Sequence, residues 1–366
     1  APGYDKLMKW CQGPDHEPIP IMPTPAAVGN IMQAIAQEEN IEVVGVDIGG
    51  ATTDIFSVFT EEFIFNRTVS ANLGMSYSIS NVLASSGLDN IMRWVPLDID
   101  EGYLRNMIKN KMIRPTTIPY LLEELVLEQA IAIEALRLAF EQHKEFASTL
   151  KGTQRQRDIS EAFSQSTSGE TLVNLMTLDL LVGSGGVLSH APRRSQTMML
   201  LINAFLPEGI TRLAVDSIFM MPHLGVLSEI STKAATEVFH KDCMIYLGTC
   251  VAPVGKGKVG KPALTAKLEL PDGSIWEEQI PFGEVRLIPC GVGEVVKASL
   301  KTHGGLILDS NKSKELNVEL KGGVVGIVLD TRGRQPFVLP TEKTERIATL
   351  KKWLRAFNAY PEQILQ

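Results

Sequence analysis

The chain has 366 residues, 44% of them hydrophobic and 21% charged, with a formal net charge of −7. That length leaves room for two or three domains of ordinary globular composition. The acidic balance speaks against a general nucleic-acid surface, and no stretch reaches the roughly 18 apolar residues of a membrane span. The four cysteines, Cys11, Cys243, Cys250 and Cys290, have no zinc or CxxC spacing and read as reduced thiols of a cytoplasmic protein. No signal peptide is visible. The chain opens on a Pro-rich lead without Met, which reads as a cut from something longer; Met removal before Ala reads equally well.

Residues 1–23 carry no periodicity and are expected to be irregular. Thr24 is placed to cap a helix with Pro25 at its first position, running to about Glu39. Ile41 to Asp47 is a short buried strand. Ile55 to Phe59 and Phe63 to Val69 alternate and predict two further strands. Residues 76–175 become helical. Within them Tyr120 to Phe146 forms a long helix, apolar over more than half its circumference, which implies burial on more than one side. Its Arg137 can pair with Glu134 or Glu141, and these charges read as a solvated stripe. "LDLLVGSGGVLSHAP" returns to a buried strand ending in a glycine loop. "SQTMMLLINAF" and "STKAATEVFH" are helices, with Pro222 and Gly225 breaking the segment between them. Residues 24–250 thus form one α/β unit. From 251 to 340 the pattern is β-rich and reads as a separate domain, including a strand, turn and strand in "GGVVGIVLDTRGRQPFVLP". Thr341 caps a last helix with Ile347, Leu350, Leu354 and Phe357 on one face, so 341–366 is a docking helix and tail.

The chemistry concentrates in "DIGGATTD", Asp47 to Asp54. Gly49-Gly50 is a favoured two-residue hairpin turn, because glycine takes positive φ. With that turn, Asp47 opposes Thr52 and Gly45 opposes Asp54. Asp47, Thr52 and Asp54 then share a face beside side-chain-free Gly45, while Val44, Val46, Thr53 and Ile55 occupy the other. Two carboxylates on one face with no local cation repel one another. Hydrated Mg²⁺ would relieve that repulsion, since it prefers a few carboxylates, waters and phosphate oxygens. A plain hairpin at a solvated sheet edge is the competing reading. The second loop, Leu181 to Gly186, fits G-x-G at Gly183 and Gly185. It then places Leu188 where a dinucleotide fingerprint needs glycine or alanine. It is either a strand-to-helix turn or the floor of a base or ribose pocket.

Taken in order, the D-x-G-G-x-T-x-D hairpin, third strand, helical insertion and strand–GSGG resemble the second half of the actin-like ATPase superfamily. Within it the strings "VVGVDIGGATTDIFSV", "RTVSANLGMSYS", "LVGSGGVLSHAP" and "MMPHLGVLSEI" resemble the GlmL/MutL-type accessory proteins of glutamate mutase, over roughly residues 24 to 340. The resemblance implies an α/β fold: the second half of an actin-like (ribonuclease H-like) ATPase with a helical insertion, then a C-terminal β-rich domain. It implies ATP and Mg²⁺ as ligands. Asp47 and Asp54 would hold Mg²⁺ mostly through water, with Asp47 also orienting the attacking water. Gly49, Gly50, Thr52 and Thr53 would contact the β- and γ-phosphates, and Gly74 would also approach phosphate. Gly183, Ser184, Gly185 and Gly186 would floor the adenosine pocket, with Glu134 and Arg137 flanking the base. The superfamily's first lobe and its own phosphate motif are missing before residue 47. They are expected in cis or on another chain, so this chain alone is expected to be a weak or inactive ATPase.

The function implied is an ATP-driven factor that reactivates an adenosylcobalamin-dependent amino-acid mutase, with the mutase subunits as partners and neither nucleic acid nor membrane. No residue reads as a cobalamin ligand; His190 and His223 are isolated and read as core or surface residues. Two other classes stay open: a filament-forming actin relative, and a small-molecule kinase whose Arg332-Gly-Arg334 turn holds an anionic group rather than being merely solvated.

Overall fold

The computed structural model describes residues 22–59, 63–147, 171–334, 337 and 339–366. The expected irregular lead and Cys11 therefore lie almost wholly outside the described residues. Helix α1 (Thr24–Glu39) precedes an antiparallel run of three strands, β1 (Val43–Ile48), β2 (Thr53–Phe59) and β3 (Ile64–Ser70). A helical insertion follows: α2 (Ile79–Ser86), α3 (Leu88–Met92), α4 (Glu101–Ile113) and α5 (Leu122–Phe146). The chain returns as β4 (Leu180–Ser184), the single turn α6 (Gly186–Ser189), α7 (Arg194–Phe205) and β5 (Gly209–Asp216). Then come α8 (Met221–Ser228), α9 (Thr232–Val238), a π-helical turn and β6 (Met244–Ala252).

The eight-stranded mixed sheet has the order β3-β2-β1-β4-β5-β6-β12-β9, where β9 is Val285–Ile288 and β12 is Gly326–Asp330. β4 runs parallel to β1, and β5 parallel to β4. A four-stranded antiparallel sheet stands apart, built from β7 (Pro262–Glu269), β8 (Ile275–Pro281), β10 (Val295–Thr302) and β11 (Glu315–Lys321). The expected β-rich segment is thus divided: β9 and β12 extend the large sheet, and the other four strands make the small one. The chain closes with α10 (Lys343–Ala356) and α11 (Glu362–Leu365).

Strand alternation builds three layers around the large sheet. Val43 of β1 and Phe56 and Val58 of β2 pack on one face with Ile31, Met32 and Ile35 of α1 and Leu224 of α8. Val44, Val46 and Ile48 pack on the other with α5 and α7. Helix α5 is buried nearly all round, from Val126 through Phe140, as its apolar breadth predicts. Each such Leu, Ile or Phe contributes about 1.5–3 kcal/mol by leaving water. His143 pins its C-terminal turn to the sheet through Thr68 (3.0 Å) and Ser57 (2.8 Å), and burial pushes this imidazole down to about 4.

Several local expectations change. Pro23, not Thr24, stands at the N-cap of α1, with Pro25 inside the first turn. Pro222 opens α8 instead of breaking a helix. Gly225 lies within α8 because α1 crosses there: a Cβ would fall 1.7 Å from the Ala27 carbonyl. Glu342, not Thr341, caps α10 by accepting from the amides of Thr344 and Glu345. Glu134 is not on a solvated stripe. It is fully buried and receives Arg93 (2.9 Å), the Trp94 indole (2.8 Å) and Arg137 (2.7 Å). Nor is the Arg332-Gly-Arg334 turn solvated or open to an anion. Both arginines are buried and bind Asp330 at 2.7 and 3.0 Å, and Phe337, Trp353 and Phe357 surround the Arg332 guanidinium. The strand expected after that turn lies partly outside the described residues.

Candidate functional site

The β1–β2 hairpin is real, but its connection has four residues, not two. Asp47 pairs directly with Asp54 and Ile48 with Thr53, leaving Gly49 to Thr52 as the loop, closed by the Gly49 amide on the Thr52 carbonyl at 2.8 Å. Neither Gly49 nor Gly50 has positive φ, so turn handedness is not why glycine stands there. Close approach is one reason: a Cβ on Gly50 would sit 2.9 Å from Ser76 Oγ. The next segment clasps the loop. The Met75 amide donates to the Gly49 carbonyl (3.0 Å) and the Ser76 amide to the Gly50 carbonyl (2.9 Å). Gly74 is pressed against this loop, with a virtual Cβ 2.4–2.5 Å from the backbone of Gly50 and Ala51.

The shift in pairing is two residues, so faces are preserved. Asp47 and Asp54 still project together, now directly opposed. Ser184 of β4 aligns with Asp47, and Asp216 at the end of β5 lies one step beyond the Gly183–Val215 pair. Four polar residues therefore form a row across β2, β1, β4 and β5. Asp216 has no sequence signature of its own. It is visible only as an Asp closing an alternating strand, and it accepts the amides of Ile218 (3.1 Å) and Met221 (3.0 Å) at the start of α8.

Burial, then the charges of Asp54 and Asp216, push the Asp47 carboxyl up to about 6. Burial raises Asp54 too, against opposing pulls from the Thr52 hydroxyl and Arg67. Thr52 Oγ1 donates to Asp54 Oδ2 at 3.4 Å, whereas Asp54 Oδ1 is buried without a partner. An orphaned carboxylate oxygen in an acidic pair of buried Asp54 and half-buried Asp47 fits a cation carrying its own water shell. Asp47 and Asp54 are the residues that would hold it. Among the described residues, no group of three or more His, Cys, Asp or Glu converges as a metal cluster.

A cleft of about 660 Å³ opens beside the loop. Ile48, Gly49, Gly50 and Gly186 line it from the sheet side, Met75 and Ser76 from the clasp, and the 115–122 connection and Glu128 from the helical insertion. Of the sequence-derived candidates, Gly49, Gly50 and Gly186 therefore meet on one wall. Gly186 faces open space there, and a Cβ would touch nothing within 4 Å. Gly185 does different work: at φ +106° it lies against Ile48, with a virtual Cβ 2.1 Å from that carbonyl. Gly183 packs on Leu188 and Leu201. Asp47, Asp54, Thr52 and Ser184 are not on the cleft wall. Thr53 points to the opposite face, where its hydroxyl donates to the Leu73 carbonyl. That hydroxyl is committed to structure.

Residues missed from sequence also line the cleft. Lys111 of α4 is ion-paired with Glu128 of α5, and burial lowers its pKa. His190, read as isolated, is exposed on the wall with its ring against Phe219. His223 lies exposed on α8. Glu134 and Arg137 are not on the cleft wall. Cys243, Cys250 and Cys290 are buried free thiols, and among the described residues no helix is long and apolar enough to cross a membrane.

Comparison with known proteins supplies the family. A family model described as MutL protein matches residues 1–243. A relative, "Protein MutL" of Clostridium tetanomorphum, is 26% identical over 249 residues, covering 60% of this chain and 50% of that protein. The chain thus matches about half the length of that curated relative.

Proposed function

The chain belongs to the MutL protein family, and on that premise we propose that it is the nucleotide-binding part of an accessory factor for a glutamate mutase-like, adenosylcobalamin-dependent enzyme. Nucleotide binding and hydrolysis would drive a conformational change that restores the mutase. The observation that carries the nucleotide reading is the opposed Asp47–Asp54 pair, with its orphaned oxygen, behind a glycine loop that walls a cleft of about 660 Å³. The order of elements supports an actin-like, ribonuclease H-like half: three antiparallel strands, a helical insertion, then a glycine-loop strand laid parallel beside β1.

In this reading Gly49, Gly50 and the loop amides meet the phosphates, because glycine lets backbone N–H groups come close to an anion. Gly186, His190 and the 115–122 connection enclose the nucleoside. When bound, Mg²⁺ would neutralise phosphate charge. Asp47 and Asp54 would hold it, and Asp47 would also orient the attacking water. Thr53, Gly74, Gly183 and Gly185 shape the site by packing.

Titration of the chain with a fluorescent ATP analogue, with and without Mg²⁺, tests the site. Binding should strengthen with Mg²⁺, and Asp47→Ala should remove that dependence while leaving the circular dichroism spectrum unchanged. Equal, Mg²⁺-independent affinity in both proteins would sink the assignment. The accessory role has its own test: ATP plus the intact protein should restore activity to an inactivated partner mutase, and no recovery rejects it.

A further inference from the structure

The end of helix α4 and the connection that follows it leave a cluster of apolar side chains in water. Between residues 112 and 121, Met112, Ile113, Ile118, Tyr120 and Leu121 are all exposed, Ile113 by 78% and Tyr120 by 86%. No other stretch of this length among the described residues exposes as many large apolar side chains. Single exposed apolar residues are ordinary, whereas a cluster rimmed by polar groups marks an interaction surface. This one borders a groove of about 180 Å³ lined by Met107, Ile118 and Pro119, with Tyr103, Asn106 and Asn110 of α4 beside them. Helix α4 and the Arg114 that follows it carry four cations, Arg105, Lys109, Lys111 and Arg114, against one carboxylate, Glu101, in a chain of net charge −7. Lys111 is taken by Glu128, but Arg105, Lys109 and Arg114 are exposed and enter no ion pair among the described residues. At the start of α5, Glu124 is committed to the amides of Tyr120 (2.9 Å) and Leu121 (3.2 Å), and Glu123 is exposed to water.

We propose that this face docks an acidic peptide segment of a partner protein, with one large apolar side chain of that segment seated in the groove. An apolar anchor in a pocket, ringed by polar and charged groups, is the usual form of such a contact. Charge decides between the occupants. A second copy meeting this face across a two-fold axis would set the basic rim of one chain against that of the other. An anionic bilayer would be repelled by the rest of a chain at −7 and offers no side chain to a groove. The unpaired cations attract a segment rich in Asp and Glu, and the exposed amides of Asn106 and Asn110 can bond its backbone. The groove and the larger cleft share Lys111, Thr117, Ile118, Pro119 and Glu128, so a seated peptide leans on the wall of that cleft. Any coupling to nucleotide rests on the function proposed above; the docking itself does not.

Fluorescence anisotropy of the whole chain, without nucleotide, tests this with three labelled synthetic peptides. One has Glu and Asp around a central Phe, the second has Lys for every acid, and the third is the acidic peptide with Gly for Phe. The first should bind saturably and weaken as salt rises, and the other two should bind about tenfold more weakly or worse. Lys109→Glu, at an exposed position with no ion pair to lose, should weaken the acidic Phe peptide about tenfold and strengthen the basic one, a reversal that misfolding does not produce. Ile118→Ala should weaken the acidic Phe peptide and leave the Gly peptide as it was. Failure of the first peptide to saturate, or binding unchanged in both variants, overturns the proposal. Sedimentation addresses the other occupants. A chain that pellets with phosphatidylserine vesicles, or that dimerises, and loses this in Lys109→Glu has a membrane or a second copy on this face, and the proposal falls.

Discussion

Asp47→Asn should make the metal-free protein more stable at neutral pH while weakening the proposed nucleotide site. Asp47 faces Asp54 directly and is pushed up to about 6 from an ordinary 3.8, first by burial and then by Asp54 and Asp216. Each pKa unit is worth about 1.36 kcal/mol, so ionising Asp47 in the fold costs at most about 3 kcal/mol. The sign follows from proton counts. Between about pH 4 and 6 the folded state binds more protons at this site than the unfolded chain does, so stability falls as pH rises through that window and is level above it. Asparagine removes the penalty. Urea unfolding with chelator present should give the variant an advantage of about 1–3 kcal/mol at pH 7.5 and almost none at about pH 3, because Asp47 is then mostly protonated in both the folded and the unfolded chain. Adding Mg²⁺ and ATP should then stabilise the wild type and not the variant. An equal advantage at both pH values would refute the electrostatic account, and no advantage at pH 7.5 would mean that Asp47 is better solvated than its neighbours imply.

Asp330→Asn removes the one carboxylate shared by buried Arg332 and Arg334, and should cost about 3–5 kcal/mol in denaturant unfolding, the usual loss when a buried pair is broken from one side. Gly225→Ala places a methyl where α1 and α8 touch, 1.7 Å from the Ala27 carbonyl. The helices must separate, and the melting temperature should drop by several degrees. The two neighbouring glycines should part company. Gly185→Ala combines positive φ with a backbone clash against Ile48 and should fail to accumulate as folded protein. Gly186→Ala meets open space and should fold normally, while weakening the fluorescent nucleotide in the cleft it faces.

Much of the fold is legible from pattern. The β1–β2–β3 run, the long α5 and the strand before the glycine loop all announce themselves through alternation or helical period, because one buried face imposes that period. The misreadings have local causes. Pro222 looks like a helix breaker, yet proline is welcome in a first helical turn. Gly225 looks like a break, yet it marks a close helix crossing. The charges of Glu134, Arg332 and Arg334 look like surface because charge usually is. Each is buried with an opposite charge, and only two of those partners, Arg137 and Asp330, are near in sequence.

The same division runs through the candidate site. Sequence alone determined that Asp47 and Asp54 share a face: strand side chains alternate with period two, so even a two-residue error in pairing returns them to the same side. It also determined that glycines would gather beside them. Only the tertiary structure decided what surrounds the pair. Asp216 arrives from a strand more than 150 residues away in the chain, two places over in the sheet, and raises the Asp47 pKa. The cleft's second wall comes from the helical insertion. Parity is a property of one backbone, whereas a carboxylate's field and a cavity's walls depend on which distant segments the packed core brings together.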